Sequence, residues 1–416
     1  MPITKLLVSN FKGIAADLEL PIRPITLFIG ANSSGKSTAI HAMACLAQTI
    51  KLADSSRPLV LDDDFAQVHL GRFIEVIHSH SYSDAITIGI EIGGAPRNYS
   101  LGKDEPVIKK GEIITSTYRF TCTKRTQEIR LNKAKLMVGT KIFEFNQYKG
   151  DGLYKVTSGG KDLEITAMRS SGFTFGMRPG GTGAFDNYLA SLGIQDSVEE
   201  TLRKTLYLGP FRQSPRRRYP SRGGNPIEVG AEGESAFTIL ANESIQSRSR
   251  PNSKRISKWL DVLSVAKKID VSRVGTSDLF DVSVTLADST SLPIADLGYG
   301  ISQIIPVLVQ CSFAPPNSTL LFEQPELHLH PGAAKNLIKV FIETAQEKNC
   351  HIVAETHSRE LMLQLLEEIR QEHILPADMA VYSVSRVDGQ SEFKKIEIEH
   401  EESFTEAVER WDKGLG

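Results

Sequence analysis

Two short stretches of the sequence combine residue types that could grip a triphosphate. GANSSGKST, Gly30–Thr38, has the spacing G-x-x-x-x-G-K-[ST] and falls between a β-rich run and a helical one, the context this motif requires. Gly30 and Gly35 let the backbone curl so that N–H groups of the loop, through Asn32, Ser33, Ser34 and Thr38, face phosphate oxygens. A helix starting there adds the positive end of its dipole. Lys36 is placed to reach the β- and γ-phosphates, and the Ser37 hydroxyl to ligate Mg2+.

The second stretch is LLFEQPELHLHP, residues 320–331. An apolar strand candidate ends there in Glu323, where ligands gather in such sheets and where a P-loop protein holds its magnesium ion. The next position, which usually carries a second carboxylate to activate water, is Gln324. An amide cannot abstract a proton, but it can orient a water, as a glutamine does in some GTPases. Glu326 is either a substitute base or a brace for the turn, and both readings stand.

Neighbouring candidates have plainer readings. His328 and His330 form H-x-H, yet both could face one metal only from an extended strand. Pro331, with a helix candidate behind it, suggests a turn instead. Asp62, Asp63 and Asp64 point different ways as chain neighbours and read as a solvated turn. Arg216, Arg217 and Arg218, with Arg212 and Arg222 near and Tyr219 beside them, make a basic run. It could grip DNA phosphates, contact nucleotide or a second subunit, or lie on a solvated loop. The acidic tail IEIEHEESFTEAVERW could dock a basic partner, with an edge strand and helix as the default.

These groups need a frame. KLLVSNF and ITLFIG are β-rich, and GKSTAIHAMACLAQTIK carries Ala39, Met43, Leu46 and Ile50 as a helical stripe. STLLFE and CHIVAE are buried-strand candidates, each followed by a helix candidate. Between the two ends, AITIGIEIGG, GEIITSTYRFTC and KIFEFNQY alternate or are β-branched and suggest antiparallel strands. SSGFTFGMRPGGTGAF (170–185) reads as a loop, and SKRISKWLDVLSVAKKI (253–269) as one amphipathic helix. The organisation that results is an α/β nucleotide-binding core, residues 1–71 and 291–416, interrupted by a lobe at 72–290 that is β-rich and then helical.

Composition narrows the class. The 416 residues can build about two to four domains at ~100–200 residues each. With 24% charged and 40% hydrophobic residues the chain fits an ordinary globular protein. A net charge of −2 gives no global attraction to nucleic acid, so any such contact needs a local patch. The cysteines, Cys45, Cys122, Cys311 and Cys350, are far apart, which argues against zinc or a disulfide framework and suits a reducing cytoplasm. MPITKLLVSNFKG lacks the apolar core of a secretory signal. The apolar stretch IIPVLVQCSFA is shorter than the ~20 residues that cross a bilayer.

Taken together, the motifs resemble a family. LLFEQPELHLHP looks like the Walker B strand and following loop of ABC-type ATPases of the overcoming-lysogenisation-defect (OLD) kind and their nuclease-free relatives, which are similar in turn to RecF and SMC heads. NFKGIAADLELPIRPITLFIGANSSGKST resembles their N-terminal block, and ADLGYGISQIIPVLVQ (295–310) their diverged signature segment. HIVAETHS (351–358) resembles their switch, which puts His357 at the γ-phosphate. YLGPFRQSPRRRYP and VGAEGESAFTIL look like the subgroup whose strand ends in EQPE. The usual signature L-S-G-G-Q reads L-G-Y-G-I-S at Leu297–Ser302, with Gly298 in the place of its serine. The resemblance therefore moves phosphate contact to the Gly300 amide and the Ser302 hydroxyl. Ser302 could equally N-cap the next helix, with Pro306 near its first turn. For the Q-loop, Gln67 is a candidate, and a plain strand residue is the other reading.

The resemblance implies a cytoplasmic ABC-type ATPase that binds ATP and Mg2+ and hydrolyses slowly, closing a homodimer or higher oligomer in the ATP-bound form. Lys36 would hold the phosphates, Ser37 and Glu323 the Mg2+, His357 the γ-phosphate, and Gln324 or Glu326 the water. It also implies work on DNA, in anti-phage defence with a separately encoded nuclease or toxin as effector. About sixty residues follow ETHS, fewer than the ~100 of a nuclease lobe, so no nuclease is expected in this chain. The competing reading is a scaffold that ATP glues together without turnover. A transporter ATPase fits less well, given the long insertion and the missing L-S-G-G-Q, and a small-molecule kinase would leave ETHS and EQPELHLHP unexplained.

Overall fold

The structure, a computed structural model, describes residues 1–54, 56–95, 97–99, 108–149, 152–179, 185–221, 226, 228–398 and 408. Strands β1 (Ile3–Ser9) and β2 (Leu18–Pro21) come first, then β3 (Ile25–Ile29), which runs into the glycine loop and helix α1 (Lys36–Leu52). A single turn, α2 (Phe73–Val76), precedes β4 (Ile86–Ile92), β5 (Ile114–Cys122), β6 (Ile129–Val138) and β7 (Lys141–Lys149). β8 (Leu153–Ser158), β9 (Lys161–Ser171), β10 (Thr174–Pro179) and α3 (Phe185–Arg203) follow. The next stretch holds β11 (Thr205–Leu208), β12 (Tyr219–Pro220), α4 (Ala236–Gln246), α5 (Pro251–Val262) and β13 (Lys268–Arg273). Then come β14 (Leu279–Thr285), β15 (Ser291–Pro293), α6 (Tyr299–Phe313), β16 (Thr319–Glu323) and α7 (Pro331–Ala334). The last elements are α8 (Leu337–Lys348), β17 (His351–Glu355), α9 (Arg359–Arg370), β18 (Met379–Val387) and β19 (Gln390–Ile396).

The chain forms two compact units, and their division falls elsewhere than at 71/72 and 290/291. The first comprises Met1–Ile22, Ser33–Thr205 and Ser385–Glu392; the second comprises Arg23–Asn32, Leu206–Val384 and the chain from Phe393. The β-rich part of the expected insertion thus shares a unit with α1, and its helical part shares one with β16 and β17.

In the first unit an antiparallel sheet has the order β10-β9-β8-β7-β6-β5-β4-β1-β2. Its strands alternate because one face is buried and the other meets water. In β5, Ile114, Ser116, Tyr118, Phe120 and Cys122 are buried while Thr115, Thr117, Arg119 and Thr121 are not. Helices α1 and α3 pack in the same unit against these strands. The glycine-rich stretch expected to be a loop is instead largely a hairpin. Gly172 turns the chain at φ 50°, and Phe173, Phe175 and Met177 point inward at alternate positions. Tyr118 lies 4.1 Å from Phe173 and Phe145 stacks on Phe175 at 4.5 Å between ring centroids, so apolar alternation outweighs the glycines. Residues 180–184 of that stretch lie outside the described residues.

In the second unit the sheet order is β11-β16-β17-β3-β18-β19, with β16 parallel to β17, β17 to β3 and β3 to β18. β3, β16 and β17 are buried at every position, as the interior of a parallel sheet requires. Phe322 of β16 stacks on Phe341 of α8 with centroids 5.4 Å apart. A smaller sheet, β12-β14-β13 with β15 on β14, completes this unit. The helix expected over 253–269 ends at Val262. Ser264 turns left-handed at φ 57° and the Val265 N–H bonds back to Leu260, after which Ile269 and Val271 are buried with the period of a strand. Among the described residues no helix is long and apolar enough to cross a membrane.

Candidate functional site

Parallel strands bring their carboxyl ends to one edge of a sheet, which is where chemistry can be assembled. Glu323 ends β16 directly beside Glu355, which ends β17, and Glu355 lies beside Phe28 of β3, two residues before Gly30. A single strand separates the glycine-loop strand from the Glu323 strand. Glu323 and Glu355 are both buried. Among the described residues no group of three or more His, Cys, Asp or Glu could hold a metal by itself. One or two carboxylates completed by phosphate oxygens and water are what Mg2+ takes, so this hard oxygen set fits that ion. Glu355 stood in the sequence as part of a strand, and only the register makes it a neighbour of Glu323.

The corner after β16 is tightly held. Gln324 is left-handed at φ 44°, its N–H donates to the Glu355 carbonyl at 3.1 Å, and its side-chain amide has no partner among the described residues. Arg212 Nη2 donates to the carbonyls of both Glu323 (3.2 Å) and Gln324 (3.1 Å). Glu326 Oε1 accepts from the Thr356 hydroxyl at 2.7 Å and from the His357 N–H at 2.8 Å, bracing the loops after β16 and β17 together. Burial pushes the Glu326 carboxyl above its usual range, and Oε2 is buried without a partner among the described residues. His357 is exposed in the second loop, and Ser358 N-caps α9.

Two residues of the YLGPFR stretch reach this corner. The buried Tyr207 donates its hydroxyl to Glu323 Oε1 at 2.7 Å, and burial followed by the Glu323 carboxylate drives its phenol far above the ordinary range. Arg212, expected on the basic surface, is only 8% exposed, and burial pulls its guanidinium down to about 10. Its carbonyl accepts from Gln303 Nε2 at 3.4 Å, while Nε and Nη1 are buried without partners among the described residues. The rest of the run is exposed: Arg217 pairs with Asp296 (2.6 Å) and Arg218 with Asp281 (3.5 Å). The Arg216 N–H donates to the Tyr219 hydroxyl at 2.6 Å, and Arg222 lies outside the described residues.

The signature segment forms the start of α6. Its N-cap is Gly298, so Ser302 is not the cap: its buried hydroxyl donates to the Tyr299 carbonyl at 2.9 Å. Because the helix starts at Tyr299, Pro306 lies in its interior rather than near its first turn. Gly300 allows a close approach, since a Cβ there would come within 2.8 Å of the His328 carbonyl oxygen. His330 accepts from the Gly332 N–H at 3.2 Å and caps α7, and His328 is left-handed at φ 68°.

In the first unit, the loop from Ser33 reaches α1 with Ser33 at φ 62° and Gly35 at φ 101°, and no acidic residue stands in the first helical turn. Lys36, Ser34 and Thr38 are buried, and the Ser34 hydroxyl has no partner among the described residues. Ser391, the second residue of β19, sits against both Gly13 and Gly35 and donates its N–H to the Gly13 carbonyl at 2.8 Å. Gln67 lies in a bend, not a strand, and its N–H donates to the buried Gln48 side chain at 3.0 Å. Asp62 pairs with His69, and Asp63 with Arg57 and the Phe65 N–H, as a turn would have it.

Comparison with known proteins agrees at both ends of the chain. The family described as "AAA ATPase domain" matches residues 1–171, and that described as "AAA domain, putative AbiEii toxin, Type IV TA system" matches residues 189–363. The OLD nuclease of Thermus scotoductus is 22% identical over 367 residues, covering 86% of this chain; the chain spans 59% of that protein's length. The Smc head domain of Pyrococcus furiosus, solved bound to the C-terminal domain of ScpA, superposes with a TM-score of 0.51 at 12% identity, covering 98% of this chain and 99% of the other. The Smc head of Pyrococcus yayanosii gives 0.50 at 11%, with 98% and 99% covered. The order of the parallel strands, the glycine loop and these likenesses converge on one conclusion: this chain has the α/β fold of an ATPase head and is similar to OLD and SMC heads.

Proposed function

We propose that the protein binds MgATP and hydrolyses it slowly, using the nucleotide to switch between monomer and a closed homodimer. The observation that carries this reading is the alignment of Glu323, Glu355 and the end of β3 at one sheet edge. Lys36 and the loop N–H groups from Gly30 to Thr38 bind the phosphates, and Ser37 with Glu323 holds the cation. Mg2+, when bound, neutralises charge on the phosphate oxygens. Gln324 presents an amide that is unpartnered among the described residues and can orient a water but cannot take its proton, which in this reading makes turnover slow. Glu326 spends one oxygen on Thr356 and His357, so it couples the water-side loop to the His357 loop. Gly300, in the first turn of α6, offers its N–H to the nucleotide of a second copy, and dimer closure follows from differential binding to that state. In this reading the protein serves DNA transactions and anti-phage defence, with a separately encoded nuclease or toxin as effector; the likeness to an OLD nuclease supports the link to nucleic acid. Contact with DNA would fall to Arg216 and to Arg217 and Arg218 once released from their exposed ion pairs.

Phosphate release from Mg-ATP by the purified protein tests the enzyme reading, and a background rate with intact ATP-dependent dimerisation would favour the scaffold. Lys36→Ala should abolish the ATP-dependent dimer in light scattering. Gln324→Glu should raise the hydrolysis rate, and an unchanged or lower rate rejects the placement of Gln324 beside the attacking water.

A further inference from the structure

We propose that the segment Tyr207–Arg212, which contains none of the ATPase motifs, sets the metal-binding corner: Tyr207 orients the Glu323 carboxylate, and Arg212 fixes the backbone of Glu323 and Gln324. The proposal rests on the assignment of Glu323 to the cation. A glutamate has a terminal torsion with a broad, shallow preference, so nothing intrinsic to Glu323 decides how its two oxygens are turned. The Tyr207 hydroxyl supplies one fixed direction. It arrives on a rigid ring from β11, the strand next to β16, and donates to Oε1 at 2.7 Å inside the buried end of the sheet. A carboxylate can accept more than one donor and a cation together, so the bond orients Glu323 without using it up.

Arg212 acts one bond further along the chain. A single nitrogen, Nη2, serves two successive carbonyls at 3.2 and 3.1 Å, which requires those carbonyls to converge. They converge because Gln324 is left-handed, a conformation that a non-glycine residue keeps only where its surroundings over-determine it. Arg212 on the Gln324 carbonyl and the Glu355 carbonyl on the Gln324 N–H are the two holders. The Gln303 side chain in turn grips the Arg212 carbonyl, so the first half of α6 is linked to the same corner. Tyr207 and Arg212 are positioning residues; neither needs to touch nucleotide.

The test is isothermal titration of the full chain with ATP, in EDTA and in Mg2+, for the wild type, Tyr207→Phe, Glu323→Gln and the double variant, with circular dichroism to verify folding. Tyr207→Phe should cut the gain in affinity on adding Mg2+ by roughly tenfold, the loss of one hydrogen bond to a charged group, and leave affinity in EDTA unchanged. In the Glu323→Gln background the same change should do nothing further, because the two act as one unit. Arg212→Lys, which keeps a cation but loses the planar fork, should also reduce the Mg2+ gain. A Tyr207→Phe protein with the wild-type Mg2+ gain, or with an equal loss in the Glu323→Gln background, overturns the proposal. A wild type that gains nothing from Mg2+ is a different failure: it removes the assignment of Glu323 and the inference with it.

Discussion

The two sheets solve opposite problems. The nine-stranded antiparallel sheet of the first unit sends neighbouring strands in opposite directions, so each edge mixes strand starts and strand ends. Its strands alternate, and the outward positions of β5 are threonines and an arginine in water. Of the parallel strands of the second unit, β16, β17 and β3 end within a residue of one another and bury every position. Carboxylates can then be set side by side at the edge of an apolar wall. The lesson is that a parallel sheet concentrates function at one edge while an antiparallel sheet distributes it over a face.

That contrast can be broken or sharpened by substitution. The largest effect should come from Phe322→Ala in β16, which removes a ring stacked on Phe341 and should cost about 3–5 kcal/mol in chemical denaturation. A loss below 1 kcal/mol, on the same scale, would deny that this strand is the core of its unit. Next comes Gly89→Ala in β4, where a Cβ would run into the Ser116 carbonyl across the strand pair; about 1–3 kcal/mol of overpacking is expected. Gln324→Gly should go the other way. Relief of a left-handed residue is worth about 1–2 kcal/mol and glycine's added unfolded-state freedom costs about 0.5–1, leaving a gain of about 0–1.5 kcal/mol together with a fall in phosphate release. Net destabilisation would mean that the corner is not strained. Thr117→Ala, outward on β5, should shift the midpoint by no more than about 0.5 kcal/mol, and a larger loss would reveal a partner for that face.

Much of this was readable in the sequence, and the reasons differ by region. STLLFE and CHIVAE could be recognised because a strand buried on both sides is a short continuous apolar run with a polar end. The glycine loop was recognisable because its spacing is tied to a strand before and a helix after. Arg212 was not, since a charge run reads as surface and its burial depends on carbonyls 111 and 112 residues away. Tyr207 and Glu355 looked like ordinary strand residues until register placed them around Glu323. The Gly172 hairpin and the end of α5 are obscured in the sequence, where glycines and helix-compatible lysines mask the period-2 burial at Phe173, Phe175, Ile269 and Val271.

Ser391 has a bearing on how any mutational scan of the glycine loop should be interpreted. Gly35 is barred from carrying a side chain twice over, by its φ of 101° and by the serine lodged against it. Intolerance at position 35 would thus be scored as a nucleotide contact even if phosphate never came near it. A scan that pairs Gly35→Ala with Ser391→Gly separates crowding from ligand recognition, and Gly13, pressed by the same hydroxyl, supplies the internal control.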